Sequence, residues 1–498
     1  MLNKISLGGL ILTLFIISSP AFAKDQTFTI VDTDQKACFD NTNLMDCPDS
    51  GQSFFGQDGQ YKGNQPAYRD NGDGTITDLI TGLMWVKARG SKVTWNSALA
   101  GAKDCNIGEY SDWRTPTIKE LYSLIDFNGW LFDAKGAKPF INTKFFDFKY
   151  GNTNAGERDI DCQDWSSTKY VSKTMNSDPT VFGVNFADGR IKGYAIIKPR
   201  NRQKNKLYIR YVRGNTKYGQ NKFVENINNK DKTVTDQATT LIWQKDDSGK
   251  TLNWEESLSY CEDLTFAGRS NWRLPNAKEL QSIVDYSRSP ATTSSAAINP
   301  IFNVTDKESY YWTSTTHLDG PCPKNAVYIT FGRAKGYMKS PHSGQGKWLD
   351  VHGAGAQRSD PKSGDPSKFP NGHGPQGDDI RIYNYVRCVS GGKAIPDSPP
   401  TPTDFKASKS KRPSNVMQRQ GGMNEKGNGQ MQGQRQGQGQ GGGMRQGPPA
   451  EALNACTGKS QGDNCSFTTP RGTMNGNCLQ VGQDNQMACV PEGHGRRQ

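Results

Sequence analysis

The sequence predicts an α+β chain in which two tandem copies of one domain are followed by a disordered Gln/Gly-rich linker and a small disulfide-rich module. Three observations predict it. The chain of 498 residues repeats a set of motifs about 160 positions apart, and eight of its ten tryptophans fall into four matched pairs. Each repeat carries two short stretches with helix-capping signals, then runs rich in aromatic and β-branched residues. The apolar share, 33%, is too low for a uniformly packed chain, and the deficit is concentrated near the C-terminus.

Residues 1–23 read as a secretory signal peptide: Lys4, then the apolar run from Leu7 to Ile17, then Ala21-Phe22-Ala23. The run is short of the roughly 20 apolar residues a membrane span needs, and no other segment approaches that length. The expectation is an exported chain, extracellular, surface-bound or periplasmic, with no integral membrane segment and with its cysteines in disulfides.

An N-terminal segment, 24–64, precedes the first copy, 65–217; the second is 218–393. Thr75–Asp78 and Leu83–Lys87 are short strands, matched by the stretch around Thr233–Asp236 and Leu241–Trp243. A helix follows in each copy at Trp95 and Trp254, N-capped by Thr94 and Asn253. A second starts after Trp113-Arg114-Thr115-Pro116 and Trp272-Arg273-Leu274-Pro275. There Thr117 with Glu120, and Asn276 with Glu279, have capping-box spacing, which explains both glutamates without a catalytic role. Leu121, Leu124 and Ile125, like Leu280, Ile283 and Val284, make one apolar stripe. The paired Trp85/Trp243, Trp113/Trp272 and Trp165/Trp312 read as core. Both copies close on Tyr-Val-Arg, at 211–213 and 385–387.

Taken in order, Trp-x-x-Ala/Ser, Trp-Arg-x-Pro-x-x-Lys-Glu-Leu, Trp-Ser/Thr-Ser-Thr and Tyr-Val-Arg-Cys resemble the Legionella collagen-like protein C-terminal domain (Lcl_C, or DUF1566) family over roughly residues 60–392. The order of elements also resembles the C-type lectin-like fold. The resemblance implies a secreted or surface binding module with an anionic or sulfated polysaccharide, or another surface polymer, as ligand. It also implies a bond between Cys261 on the first helix of copy two and Cys388 on its closing strand. In copy one Gly214 stands where the closing cysteine would be, so Cys105 needs another partner and Cys162 is the nearest. Cys38 and Cys47 can close a local loop, and Cys322 is left over.

Residues 394–450 are the linker; positions 418–447 hold 11 Gly and 9 Gln, too little apolar surface to offset ordering entropy. In the module 451–498, Cys456, Cys465, Cys478 and Cys489 are expected in two disulfides that replace a hydrophobic core.

Arg190, Lys192 and Tyr194, and their counterparts Arg333, Lys335 and Tyr337, alternate so that each trio shares one strand face. Two cations beside an aromatic ring suit an acidic sugar, and solvent-facing strands of this kind are also common. An insertion at 339–380, present only in copy two, adds Trp348 and three of the five histidines, His342, His352 and His373, as weak metal candidates. No cofactor and no nucleic-acid module is predicted. The formal charge of +12 divides into +6 on residues 404–498, +1 on the signal segment and +5 on the rest, so local stripes matter more than bulk charge. The expected function is a non-catalytic, adhesin-like binding protein. The alternatives are an envelope structural component, or a lectin-fold enzyme using 339–380 as its active-site loop.

Overall fold

The computed structural model describes residues 26–133, 136–175, 177–198, 201–227, 232–340, 343–392, 395–396, 450–469, 472–481 and 486–491. The expected signal segment and most of the expected linker lie outside them.

Local signals set the elements of copy one. After β1 (Tyr61–Lys62) come β2 (Tyr68–Asp70), β3 (Thr75–Asp78) and β4 (Leu83–Val86). The β2–β3 turn needs Gly72 and Gly74, at φ 79° and 86°. Helix α1 (Trp95–Gly101) starts where Thr94 accepts from Ser97 N–H; α2 (Ile118–Tyr122) starts at the Thr117/Glu120 capping box. Then follow β5 (Asp164–Thr174), β6 (Asp178–Asn185), β7 (Arg190–Ala195) and β8 (Val212–Gly214). Copy two repeats the pattern with β9 (Phe223–Glu225), β10 (Thr233–Asp236), β11 (Leu241–Gln244), α3 (Trp254–Glu262), α4 (Ala277–Ser282), β12 (Tyr310–His317) and β13 (Asn325–Thr330). Next come β14 (Lys335–Lys339), then β15 (Gly346–Asp350) and β16 (Gln357–Pro361) in the insertion, and β17 (Val389–Gly391) and β18 (Ile395–Pro396) after it. This is a sheet-rich α+β fold with short helices. The start of the expected linker is not all spacer, because β18 pairs with β1.

Each copy has its own four-stranded sheet, in the orders β8-β4-β3-β2 and β9-β10-β11-β17. The long strands instead merge into one six-stranded sheet, β5-β6-β7-β16-β13-β12. The insertion makes this possible. Its strand β16 lies beside β13, where β7 lies beside β6, and it meets β7 at Ile191 and Gln357. The sequence counterpart of β7 is displaced and pairs with β15 as a separate hairpin. A single apolar cluster contains Trp85, Leu121 and Phe182 from copy one and Trp243, Leu280 and Val327 from copy two. The two copies are therefore one packed body rather than independent domains.

The matched Lys-Glu-Leu motifs face each other across this fusion. Lys119 Nζ donates to Ser282 O (2.6 Å) at the end of α4, and Lys278 Nζ donates to Ser123 O (2.9 Å) just after α2. Each lysine thus satisfies an orphan carbonyl at the other copy's helix end. Trp85, Trp165, Trp243, Trp272 and Trp312 are fully buried, and Trp113 nearly so. At ~25 cal/mol per Å² each contributes roughly 4–6 kcal/mol of gross transfer energy, which makes them core rather than sugar platforms.

The N-terminal segment clasps the fused sheet. Gln35 exchanges hydrogen bonds with the backbone of Thr316, donating to O (2.8 Å) and accepting from N–H (2.9 Å). Asp58 accepts from the hydroxyls of Thr33 (2.8 Å) and Thr315 (2.5 Å). Burial, and then the nearby Asp32, push the Asp58 carboxyl far above the usual carboxylate range. A folded-state pKa raised above the unfolded value means that the folded state holds the extra proton. This group's contribution is therefore lost as pH rises above about 4. Asp58→Asn keeps an oxygen for both threonines and removes the titration. Its melting temperature should be near the parent's at pH 5 and above it at pH 9; parallel pH profiles would refute this.

The cysteines correct the sequence reading in two ways. Cys38–Cys47 and Cys261–Cys388 are bonded, but Cys105 and Cys162 are both free, as is Cys322. Cys162 is buried near Asp159 and Asn185, whereas Cys105 lies near Tyr211. The equivalence of the closing motifs also shifts by three residues. Trp165 N–H donates to Tyr208 O as Trp312 N–H does to Tyr385 O, and Val212 and Val389 pair with Trp85 and Trp243. Tyr211, not Gly214, therefore occupies the position of Cys388. Its hydroxyl reaches α1, where a Cβ on Gly101 would lie 2.6 Å away.

The C-terminal module is a separate unit. Helix α5 (Ala450–Asn454) packs on an antiparallel sheet of β19 (Asn464–Thr469), β20 (Gly472–Val481) and β21 (Gln486–Pro491). Its buried centre is Ala452, Ala488 and the four cysteines, bonded Cys456–Cys478 and Cys465–Cys489.

Candidate functional site

The two cationic trios have different fates, because only one of their strands stays in the fused sheet. In copy one, β7 lies beside β16. Arg190 is paired with Asp188 (3.2 Å) and with Asp319, and Lys192 with Asp188 (3.0 Å). Burial draws Lys192 down to about 8. Both cations are part of the seam between the copies and have little left to offer a ligand.

In copy two Lys335 and Tyr337 lie on the β14–β15 hairpin, and Arg333 precedes its first strand. Tyr337 is directly opposite Trp348, with ring centroids 5.5 Å apart in an edge-to-face arrangement. Gly346 is required here: a Cβ would lie 2.1 Å from the Tyr337 ring, which covers its backbone. Lys335, Tyr337 and Lys339 share a face with Trp348, which is 41% exposed although six other tryptophans are fully buried. Glu308 anchors the base of the hairpin. Arg333 Nε donates to it (2.8 Å), and Lys335 Nζ lies 3.9 Å away. Although burial raises the Glu308 pKa, hydrogen bonds from the Arg333 guanidinium and backbone N–H, with the Lys335 charge, hold it below the ordinary range.

Among the described residues the histidines do not form a ligand set. His352 is buried and hydrogen-bonded to Asp378 (2.8 Å), which Arg358 also pairs. Burial, then the Arg358 charge, lower His352 to about 4. His373 lies edge-on to Phe369, and His342 is outside the described residues. Among the described residues, only Cys456, Cys465 and Cys478 form a set of three potential ligands whose atoms converge, and all three are in disulfides.

One cationic surface was missed. Lys198, Arg202, Lys204 and Lys206 are exposed on the excursion between β7 and β8, and none of them is ion-paired among the described residues. Lys198 N–H donates to Gln203 O and Asn205 N–H to Ile196 O, both at 2.8 Å, so the described residues on the two sides of this excursion pair as antiparallel arms. Its returning strand is anchored by the buried Leu207 and Ile209, packed with Trp95. The β5–β6 turn reaches the β14–β15 hairpin, where Met175 N–H donates to Asp350 O (2.8 Å). The signal was present in the sequence as a density, five cations in the nine residues 198–206, rather than as an alternating stripe.

No helix among the described residues is long and apolar enough to cross a membrane. A family model described as the Lcl C-terminal domain matches residues 74–213 and 232–349, which are the two repeats. No curated protein and no solved structure matches the chain.

Proposed function

The chain belongs to the Lcl C-terminal domain family, and from that premise we propose that it is an exported, non-catalytic binding protein whose ligand is an anionic polysaccharide. The observation that carries this reading is the exposed Trp348 beside Tyr337, on a hairpin face shared with Lys335 and Lys339. A ring face stacks on the apolar side of a sugar, and ammonium groups pair with its sulfate or carboxylate. The basic hairpin at 198–206 adds long-range attraction, which salt screens. A lectin-like relation of each copy belongs to the same reading, and the helix-to-closing-segment disulfide Cys261–Cys388 supports it.

The test is binding to heparin and to a neutral polysaccharide of similar length. Trp348→Ala removes an exposed ring, so the fold should be unaffected. As a binding hot spot worth about 1.4 kcal/mol or more, its loss should weaken heparin binding at least tenfold. Charge reversal of Arg202, Lys204 and Lys206 together should lower the salt needed for elution. Equal binding of the neutral polymer, or no change in either variant, would sink the reading.

A further inference from the structure

Lys119 differs from its repeat partner in what its amine touches. Besides Ser282 O, Lys119 Nζ donates to Gly219 O (3.1 Å) and to the side-chain oxygen of Asn221 (2.8 Å). Asn221 Nδ2 in turn donates to Asp236 Oδ2 (2.8 Å). Asp236 is buried and held in place by the Thr239 hydroxyl (2.8 Å) and the Lys222 N–H (2.8 Å). An amine, a carboxamide and a carboxylate are thus lined up at the junction of the two copies. Lys278, by contrast, donates to main-chain carbonyls, those of Asp32 and Ser123. A helix-end carbonyl needs only the contact that Lys278 also makes; the carboxamide–carboxylate relay on Lys119 is additional to it.

We propose that Lys119 and Asn221 form an intramolecular isopeptide bond, with Asp236 as the proton relay. In the reaction the uncharged Lys119 Nζ adds to Cγ of Asn221. Asp236 takes a proton from the attacking nitrogen and returns one to Nδ2. The Cγ–Nδ2 bond breaks, ammonia leaves, and a secondary amide joins the two side chains. No oxidation state changes and no co-reactant is consumed. Fixed geometry supplies the rate, since the partners are held in contact rather than meeting by diffusion. Burial lowers Lys119 to about 8, so a useful fraction is the nucleophilic free amine near neutral pH. The bond closes a sequence interval of 102 residues and ties α2 of copy one to the segment just before β9 of copy two. It is independent of the ligand proposed above.

The test is peptide mapping of the full chain by mass spectrometry, after reduction, alkylation and a period at pH 9. The expected result is one linked pair of peptides, containing Lys119 and Asn221, lighter than their sum by one ammonia. Asn221→Ala and Lys119→Arg should each give only separate peptides, and Asp236→Ala should slow or abolish linkage. Separate peptides of full mass from the unaltered protein would overturn the proposal. So would ammonia loss confined to a peptide holding Asn221 alone, which is cyclisation onto its own backbone. The deciding measurement is on the unaltered chain, so a variant that fails to fold does not blunt it.

Discussion

Glu279→Ala is expected to cost about 3–5 kcal/mol of stability, the range for stranding one member of a buried ion pair. Arg273 donates to both Glu279 oxygens at 2.6 Å, and the two side chains are only 6% and 9% exposed. The same carboxylate accepts from Asn276 N–H (3.0 Å) and so completes the α4 capping box. Alanine therefore leaves a guanidinium without its counter-ion and a helix without half its cap. The repeat supplies the control. Glu120 plays the same part in α2, but its partner Arg114 is 29% exposed and can turn to water. Glu120→Ala should cost about 1–2 kcal/mol, the value of a cap with a screened pair. Glu279→Gln, which keeps the cap and loses the charge, should fall between them. Urea denaturation of the three variants settles the order, and equal losses for Glu120→Ala and Glu279→Ala would show that the cap alone matters.

These glutamates also show what a sequence reveals directly. Their role depends on a three-residue spacing and a local backbone shape, so it could be read without any tertiary knowledge. The tryptophans were legible for a related reason: a large apolar residue kept at the same place in both repeats has few uses other than packing. What could not be read depends on distant partners. Arg190 and Arg333 occupy equivalent places in the two repeats of the sequence. One is buried in ion pairs and the other stands at the base of an exposed hairpin, solely because β16 from the insertion takes the neighbouring lane. The closing motif misled by composition. Tyr208-Ile209-Arg210 and Tyr211-Val212-Arg213 are near-repeats three residues apart, and identity favours the second. Hydrogen bonding selects the first, since Arg210 and Arg387 both reach the carbonyls that end the matching strand, at Val86 and Gln244. The cationic hairpin at 198–206 has no counterpart in copy two, so the repeat pattern carries no cue to it.

Removing the Cys261–Cys388 bond, as the double variant Cys261→Ala/Cys388→Ala, is expected to cost about 3–5 kcal/mol. The bond spans 127 residues, so in the reduced, unfolded chain its loss releases a large loop. The Cys38–Cys47 bond spans nine, and loop-closure entropy grows as the logarithm of length, so its loss should cost about 2 kcal/mol less. Both cysteines of the longer bond are buried in one cluster with Trp254, Trp272 and Trp312. Alanine there also leaves space that tryptophans cannot easily fill, which adds to the entropic loss. Copy one gives the physical comparison. It has no such bond, and the Tyr211 ring occupies the same interval between closing segment and first helix, with its hydroxyl at Gly101. Packing therefore does in one repeat what a covalent link does in the other. Reductant should then loosen copy two first, and hydrogen exchange should show α3 losing protection while α1 keeps it. If α1 and α3 lose protection together, the fused core rather than the disulfide governs the stability of the first helix in both repeats.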